Sequence, residues 1–136
     1  MSKFVATQNK GFGITFQNGF GVSVQWGTEN YCEKKHTTIH PTAPMEHKRW
    51  DSVSAEIAVF DDEEMKTPRW ESRTAEIAVY KDEKFIDIGD DTVIGWLTPN
   101  EVAKVIEIVS GYQGQTMTGM TGEKYIKDTF KKYSIK

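Results

Sequence analysis

The sequence predicts an α+β domain: an antiparallel β-sheet with an N-terminal hairpin and a duplicated strand, followed by two C-terminal helices. Three observations carry this reading. Alternating apolar and polar residues flank Asn18-Gly19, a pair that favours tight hairpin turns. A fifteen-residue stretch, 49–63, recurs at 69–83 with ten identical positions. The clearest helical periodicity and the helix-start signals both follow Leu97. Strands first and helices later is the order of an α+β fold. At 136 residues the chain fits one domain, 1–136, able to bury roughly two-thirds of its unfolded surface.

The hairpin comes first. Ile14-Thr15-Phe16-Gln17 and Val22-Ser23-Val24-Gln25-Trp26 alternate on either side of Asn18-Gly19, which suits a two-residue type I′ turn. Ile14, Phe16, Val22, Val24 and Trp26 then share the buried side, and Thr15, Gln17, Ser23 and Gln25 face the other way. Gly13 or Gly21 marks a bulge or a close approach. Residues 28–48 lack clean periodicity and read as a long exposed loop. In the repeat, Ala55, Ile57 and Val59 match Ala75, Ile77 and Val79. Their β-branched residues and polar boundaries predict two equivalent strands that pair antiparallel. Phe85–Ile88 and Thr92–Trp96 look like further short extended segments around a Gly89-Asp90-Asp91 turn.

The first helix runs from Pro99 to Ser110. Thr98 is a suitable N-cap, Pro99 fits the first helical position, and Glu101 completes a capping box. Val102, Val105, Ile106 and Val109 form one apolar stripe, and Gly111 supplies the stop. A second helix is expected from about Gly122 to Tyr133, with Ile126, Phe130 and Tyr133 on one face.

Composition narrows the function classes. A formal charge of −3 gives no general attraction to a nucleic acid polymer or an anionic membrane. No apolar run approaches the length of a membrane span. The N-terminus has no apolar signal segment, and Cys32 is alone, which suits a reducing cytoplasm. Four Trp, five Tyr and seven Phe can close a core or offer stacking faces to a flat ligand.

The motifs are few. Cys32, His36 and His40 are spaced by four, but the segment between them is rich in Thr and ends at Pro41. A helix that would gather them around zinc is therefore disfavoured, and no metal site is expected. Gly114 to Thr121 nearly spells a phosphate-binding loop. Met120 replaces the required lysine, and a helix precedes the loop where a strand is needed, so nucleotide hydrolysis by this route is rejected. No activated nucleophile is recognisable, and the acidic runs read as solvated turns. No cofactor is implied. All three arginines lie in or beside the repeat, and each copy opens with Arg-Trp. A guanidinium beside an indole can hold a phosphate and stack a base together. The expected ligand contacts are therefore Arg49, Trp50, Arg69, Trp70 and Arg73.

Lys10 to Gly19, Val22 to Gly27 and Asn30-Tyr31-Cys32 resemble the opening of small proteins encoded by tailed bacteriophages. Thr74 to Val79 and Gly95 to Val102 are similar to the same group, most of whose members have no assigned function. In size and layout the chain is also similar to the Thoeris anti-defence protein one family of phage sponges. That resemblance implies an oligomeric sheet core with helices that sequesters a cyclic ADP-ribose signal without cleaving it. The sponges hold phosphates partly with arginines late in the chain. This sequence has no arginine after Arg73, so no site residue is carried over.

The expectation is a non-enzymatic phage anti-defence protein in the host cytoplasm. It binds a small nucleotide immune signal such as a cyclic ADP-ribose and forms a homo-oligomer. The alternative is a protein–protein interaction module that inhibits a host protein.

Overall fold

A computed structural model describes residues 3–7, 11–27, 30–33, 35, 49–60, 71–89, 91–114 and 121–135. It is α+β, with an antiparallel sheet, an N-terminal hairpin and two helices in the C-terminal part. The strands are β1 (Lys3–Thr7), β2 (Gly11–Thr15), β3 (Phe20–Gln25), β4 (Arg49–Ser52), β5 (Ala75–Lys81), β6 (Lys84–Phe85) and β7 (Val93–Leu97). Their order is β4-β1-β2-β3-β5-β6, with β7 also pairing β5. Helices α1 (Pro99–Gly111) and α2 (Gly122–Lys132) follow.

The hairpin forms and keeps the expected apolar residues on one face, but with Ile14 opposite Val22 and Phe12 opposite Val24 its register is one residue from that of a two-residue turn at Asn18-Gly19. Its turn differs from the expected one. Phe16 N–H donates to Phe20 O and Gly19 N–H donates to Phe16 O, leaving a three-residue loop. Gly19 has φ 91, while Asn18 is not left-handed. This is a tight turn closed by a glycine bulge rather than a type I′ pair. The mirror-image φ pattern instead occurs at Asp82 and Glu83, φ 52 and 67, between paired Lys81 and Lys84.

Asn18 is released to bridge two layers. Its Oδ1 accepts from Phe20 N–H at 2.9 Å. Its Nδ2 donates to Val109 O and Tyr112 O, both at 2.8 Å. The last carbonyls of a helix lack intrahelical donors, and here a hairpin tip supplies them. At the other end of α1, Thr98 and Glu101 form the expected reciprocal capping box. Thr121 caps α2 by accepting from Lys124 N–H, and Lys131 and Lys132 close its last turn.

Both helices contribute to one core with the sheet. Phe20, Val22 and Val24 of β3 and Ile77 and Val79 of β5 are buried in a single cluster with Val105 and Val109 of α1 and Ile126 and Phe130 of α2. Phe20 meets Tyr112 edge-on at 5.6 Å, and Tyr112 meets Tyr125 at 5.3 Å, which closes the corner between sheet and helices.

The repeat is the main departure from expectation. The second copy is β5, a central strand. In the first copy, Arg49–Ser52 forms the edge strand β4 against β1, with Val5 opposite Asp51. The segment 53–60 that follows joins no sheet. Ile57 is 85% and Val59 94% exposed, whereas Ile77 and Val79 are fully buried. The two copies therefore do not form equivalent strands, and β5 pairs with β3, β6 and β7 rather than with its twin. Alternation licenses a strand, but only a complementary edge makes one. The loop after β3 also departs from full exposure. Cys32 is buried, and its thiol reaches Gly27 O at 3.5 Å.

Asn18→Ala should destabilise the protein by about 1–3 kcal/mol, because it strips donors from two part-buried carbonyls. Asn18→Asp should be no better, since a carboxylate would face Val109 O and Tyr112 O. Urea unfolding of both variants checks this, and an Asp variant of native stability would contradict the bridging role.

Candidate functional site

Alternation sends Gly13 and Thr15 of β2, Gly21 and Ser23 of β3 and Ala78 and Tyr80 of β5 to the face opposite Val22, Val24, Ile77 and Val79. A Cβ on Gly21 would lie 2.2 Å from Tyr80 Cζ, so glycine is what admits the Tyr80 ring across β3. The ring is fixed at its far end by a 2.9 Å hydrogen bond between the Tyr80 and Thr15 hydroxyls. At its other edge it meets Phe85, at 6.2 Å and 89° between planes.

Beside this ring lies a hollow of about 360 Å³. Gly13 and Ser23 form part of its floor, Tyr80 and Phe85 its aromatic side, and Lys3 and Asp82 bring charge to it. The volume is within the range of small-molecule sites. Phe85 is 60% exposed, so much of its ring is open to a ligand. The lining offers a flat apolar surface, one cation, carboxylates at Asp82 and Glu83, and hydroxyls at Thr15 and Ser23.

A second surface surrounds residues 30–33 and 35. Tyr31 N–H donates to Glu76 Oε1 at 2.9 Å, and Glu33 N–H donates to Thr74 Oγ1 at 2.8 Å. The segment is thereby fastened to the start of β5. Trp96 N–H donates to Tyr31 O at 2.9 Å, and a Cβ on Gly95 would lie 2.4 Å from Tyr31 Cβ. Trp96 has φ 63, which is strained for a bulky residue, yet its side chain is half exposed. Tyr31 is also exposed, with Lys35 Nζ over its ring at 4.6 Å.

The five expected ligand residues do not gather at the hollow. Arg49 and Trp50 lie on the edge strand β4, paired through their backbones with Thr7 and Ala6. Arg69 and Trp70 lie outside the described residues. Arg73 Nε donates to Glu33 Oε2 at 2.5 Å beside the second surface. Its side chain is 91% exposed, so this ion pair contributes little to stability. The hollow residues Lys3, Tyr80, Phe85, Asp82 and Glu83 were not singled out from the sequence. One signal was present: glycines at 13 and 21 alternate with apolar residues in two paired strands, which leaves one face bare. Among the described residues no cluster of His, Cys, Asp or Glu could hold a metal ion. The histidines of the rejected zinc spacing and residues 115–120 of the rejected phosphate loop lie outside the described residues. Among the described residues no helix is long and apolar enough to cross a membrane.

The turn at the hollow's rim holds Glu83 at positive φ with its side chain exposed. Glu83→Gly should therefore stabilise the protein by about 0.5–1 kcal/mol, since glycine removes the left-handed penalty and returns part of the gain as unfolded-state entropy. Thermal unfolding checks it, and a lower midpoint would show that Glu83 has a stabilising role. No family model, curated protein or solved structure matches the chain.

Proposed function

We propose that this protein binds a small nucleotide, such as a cyclic ADP-ribose, on the helix-free face of its sheet and retains it without cleaving it. The observation that carries the reading is the hollow beside Tyr80. Phe85 and Tyr80 supply aromatic surface for a base. Lys3 supplies positive charge for a phosphate, and Asp82 and Glu83 supply acceptors for ribose hydroxyls. The Tyr80 and Thr15 hydroxyls bond to each other, which suits a fixed wall more than a nucleophile. The resemblance to phage anti-defence sponges supports the same reading, in which the protein acts in the host cytoplasm.

A second reading is favoured by one specific feature. Trp96 carries backbone strain and still presents its ring to solvent, next to exposed Tyr31. Strain of this kind persists where the surroundings enforce it, often at sites of function. Trp and Tyr are also enriched at the anchors of protein interfaces. In this reading the surface around Tyr31 and Trp96 docks a host protein.

The nucleotide reading predicts a pattern in calorimetric titrations. Phe85→Ala should weaken binding by about fivefold to a hundredfold, the worth of one stacked base. Lys3→Ala should weaken phosphorylated ligands and leave the parent nucleoside unchanged. Arg73→Ala, remote from the hollow lining, should change neither. The reading is abandoned if no nucleotide binds up to millimolar concentration. It is also abandoned if the bound ligand is recovered chemically altered.

A further inference from the structure

We propose that the exposed first copy of the repeat, residues 54–60, exchanges with β5 for the same seat beside β3. The chain then carries two strands for one position, and their balance sets the wall of the hollow.

The seat is defined by what β5 does in it. Ile77 and Val79 lie opposite Val24 and Val22, Ala78 lies opposite Ser23, and Glu76 lies opposite Gln25. Each of these four residues has an identical counterpart in the first copy: Ile57, Val59, Ala58 and Glu56. The polar fastenings transfer as well. Glu76 accepts from Tyr31 N–H, a role open to Glu56. Thr74 Oγ1 accepts from Glu33 N–H, a role open to the Ser54 hydroxyl. The ring of Tyr80 crosses Gly21, where Phe60 offers a ring of the same shape. The turn pair Asp82-Glu83 recurs as Asp62-Glu63.

The two copies already share their local entry geometry. Ser72 Oγ donates to Thr74 O at 2.6 Å and accepts from Thr74 N–H at 3.4 Å. Ser52 Oγ donates to Ser54 O at 2.6 Å and accepts from Ser54 N–H at 3.3 Å. An identical turn thus leads into a buried strand in one copy and into an exposed extended segment in the other. The exposed segment is a strand sequence without an edge, and the edge it matches belongs to β3.

Specific terms keep β5 in possession. Tyr80 bonds Thr15, which Phe60 cannot do. Ile86 and Ile88 are buried just beyond the turn, where the first copy has Lys66 and Pro68. Seating the first copy also detaches β4 from β1, since Ser52 and Ser54 cannot span the strands that separate β4 from the seat. The exchanged form is therefore the minor one. In it Phe60 replaces Tyr80, the Thr15 hydroxyl loses its partner, and the hollow loses its fixed wall.

Disulfide trapping in the full chain tests this. Ser23 and Ala78 are direct partners across the strands, so a Ser23→Cys/Ala58→Cys pair reports the exchanged register. A Ser23→Cys/Glu56→Cys pair, two residues out of register, reports chance collisions of the exposed segment. Cys32 is buried, and peptide mass mapping separates its products. The Ala58 pair should oxidise about fivefold faster than the Glu56 pair. Adding Val79→Ala, which weakens only the seated copy, should raise Ala58 trapping by about a further fivefold, and Val59→Ala should lower it. Equal rates for the two pairs overturn the proposal. So does an Ala58 rate that Val79→Ala leaves unchanged.

Discussion

The position of β5 between β3 and the short strands β6 and β7 is the constraint on which most of this structure depends. One face of β5 completes the core through Ile77 and Val79. The other face supplies Tyr80 to the hollow and Glu76 to Asn30 and Tyr31. Thr74 at its start holds Glu33, and Val79 O accepts from Ile86 N–H beyond the turn. A central strand has no spare backbone groups, so its register dictates that of both neighbours at once. Displacing it would disturb the core, the hollow and the Tyr31–Trp96 surface together.

The same strand marks how far the sequence could be read. The fold class, the hairpin with its apolar face and both helices were legible because each rests on local signals: alternation around a turn, a capping box, an apolar stripe. The fate of the repeat was not. Ala55-Glu56-Ile57-Ala58-Val59 and Ala75-Glu76-Ile77-Ala78-Val79 are the same five residues. No propensity argument can separate them, yet one is buried and one is in solvent. What separates them lies outside the strand. Ile86 and Ile88 anchor the chain after the second copy, whereas the opening residues of the first are held in β4 against β1. Strands β1 and β4 were missed for a related reason: each is short, and each is defined by its partners more than by its own pattern.

Asn18 shows a different limit. Asn-Gly between two alternating runs signals a hairpin correctly, and the hairpin is there. The turn type follows from tertiary demand. With Gly19 alone at positive φ, the Asn18 side chain is free to cap carbonyls at the end of α1, some ninety positions away in sequence. Three backbone polar groups are satisfied by one side chain. That return outweighs the small preference for a mirror-image turn, which the chain uses instead at Asp82-Glu83, where no helix end needs a partner.

The hollow reflects what the sheet leaves out. Glycine weakens a strand because it adds backbone entropy in the unfolded state and buries no side chain. Here it occupies positions 13 and 21 of two neighbouring central strands, on the face away from the helices. Gly21 has a clear compensation, since the Tyr80 ring fills the space a Cβ would need. Gly13 has less, for its nearest neighbours stand at ordinary contact distances of 3.5 Å and beyond. A larger residue at 13 would take space from the hollow itself. Local rules broken without a packing gain tend to fall at functional positions. Under the proposed nucleotide reading, Gly13 would tie the ligand site to the backbone of β2 as well as to the aromatic rings beside it.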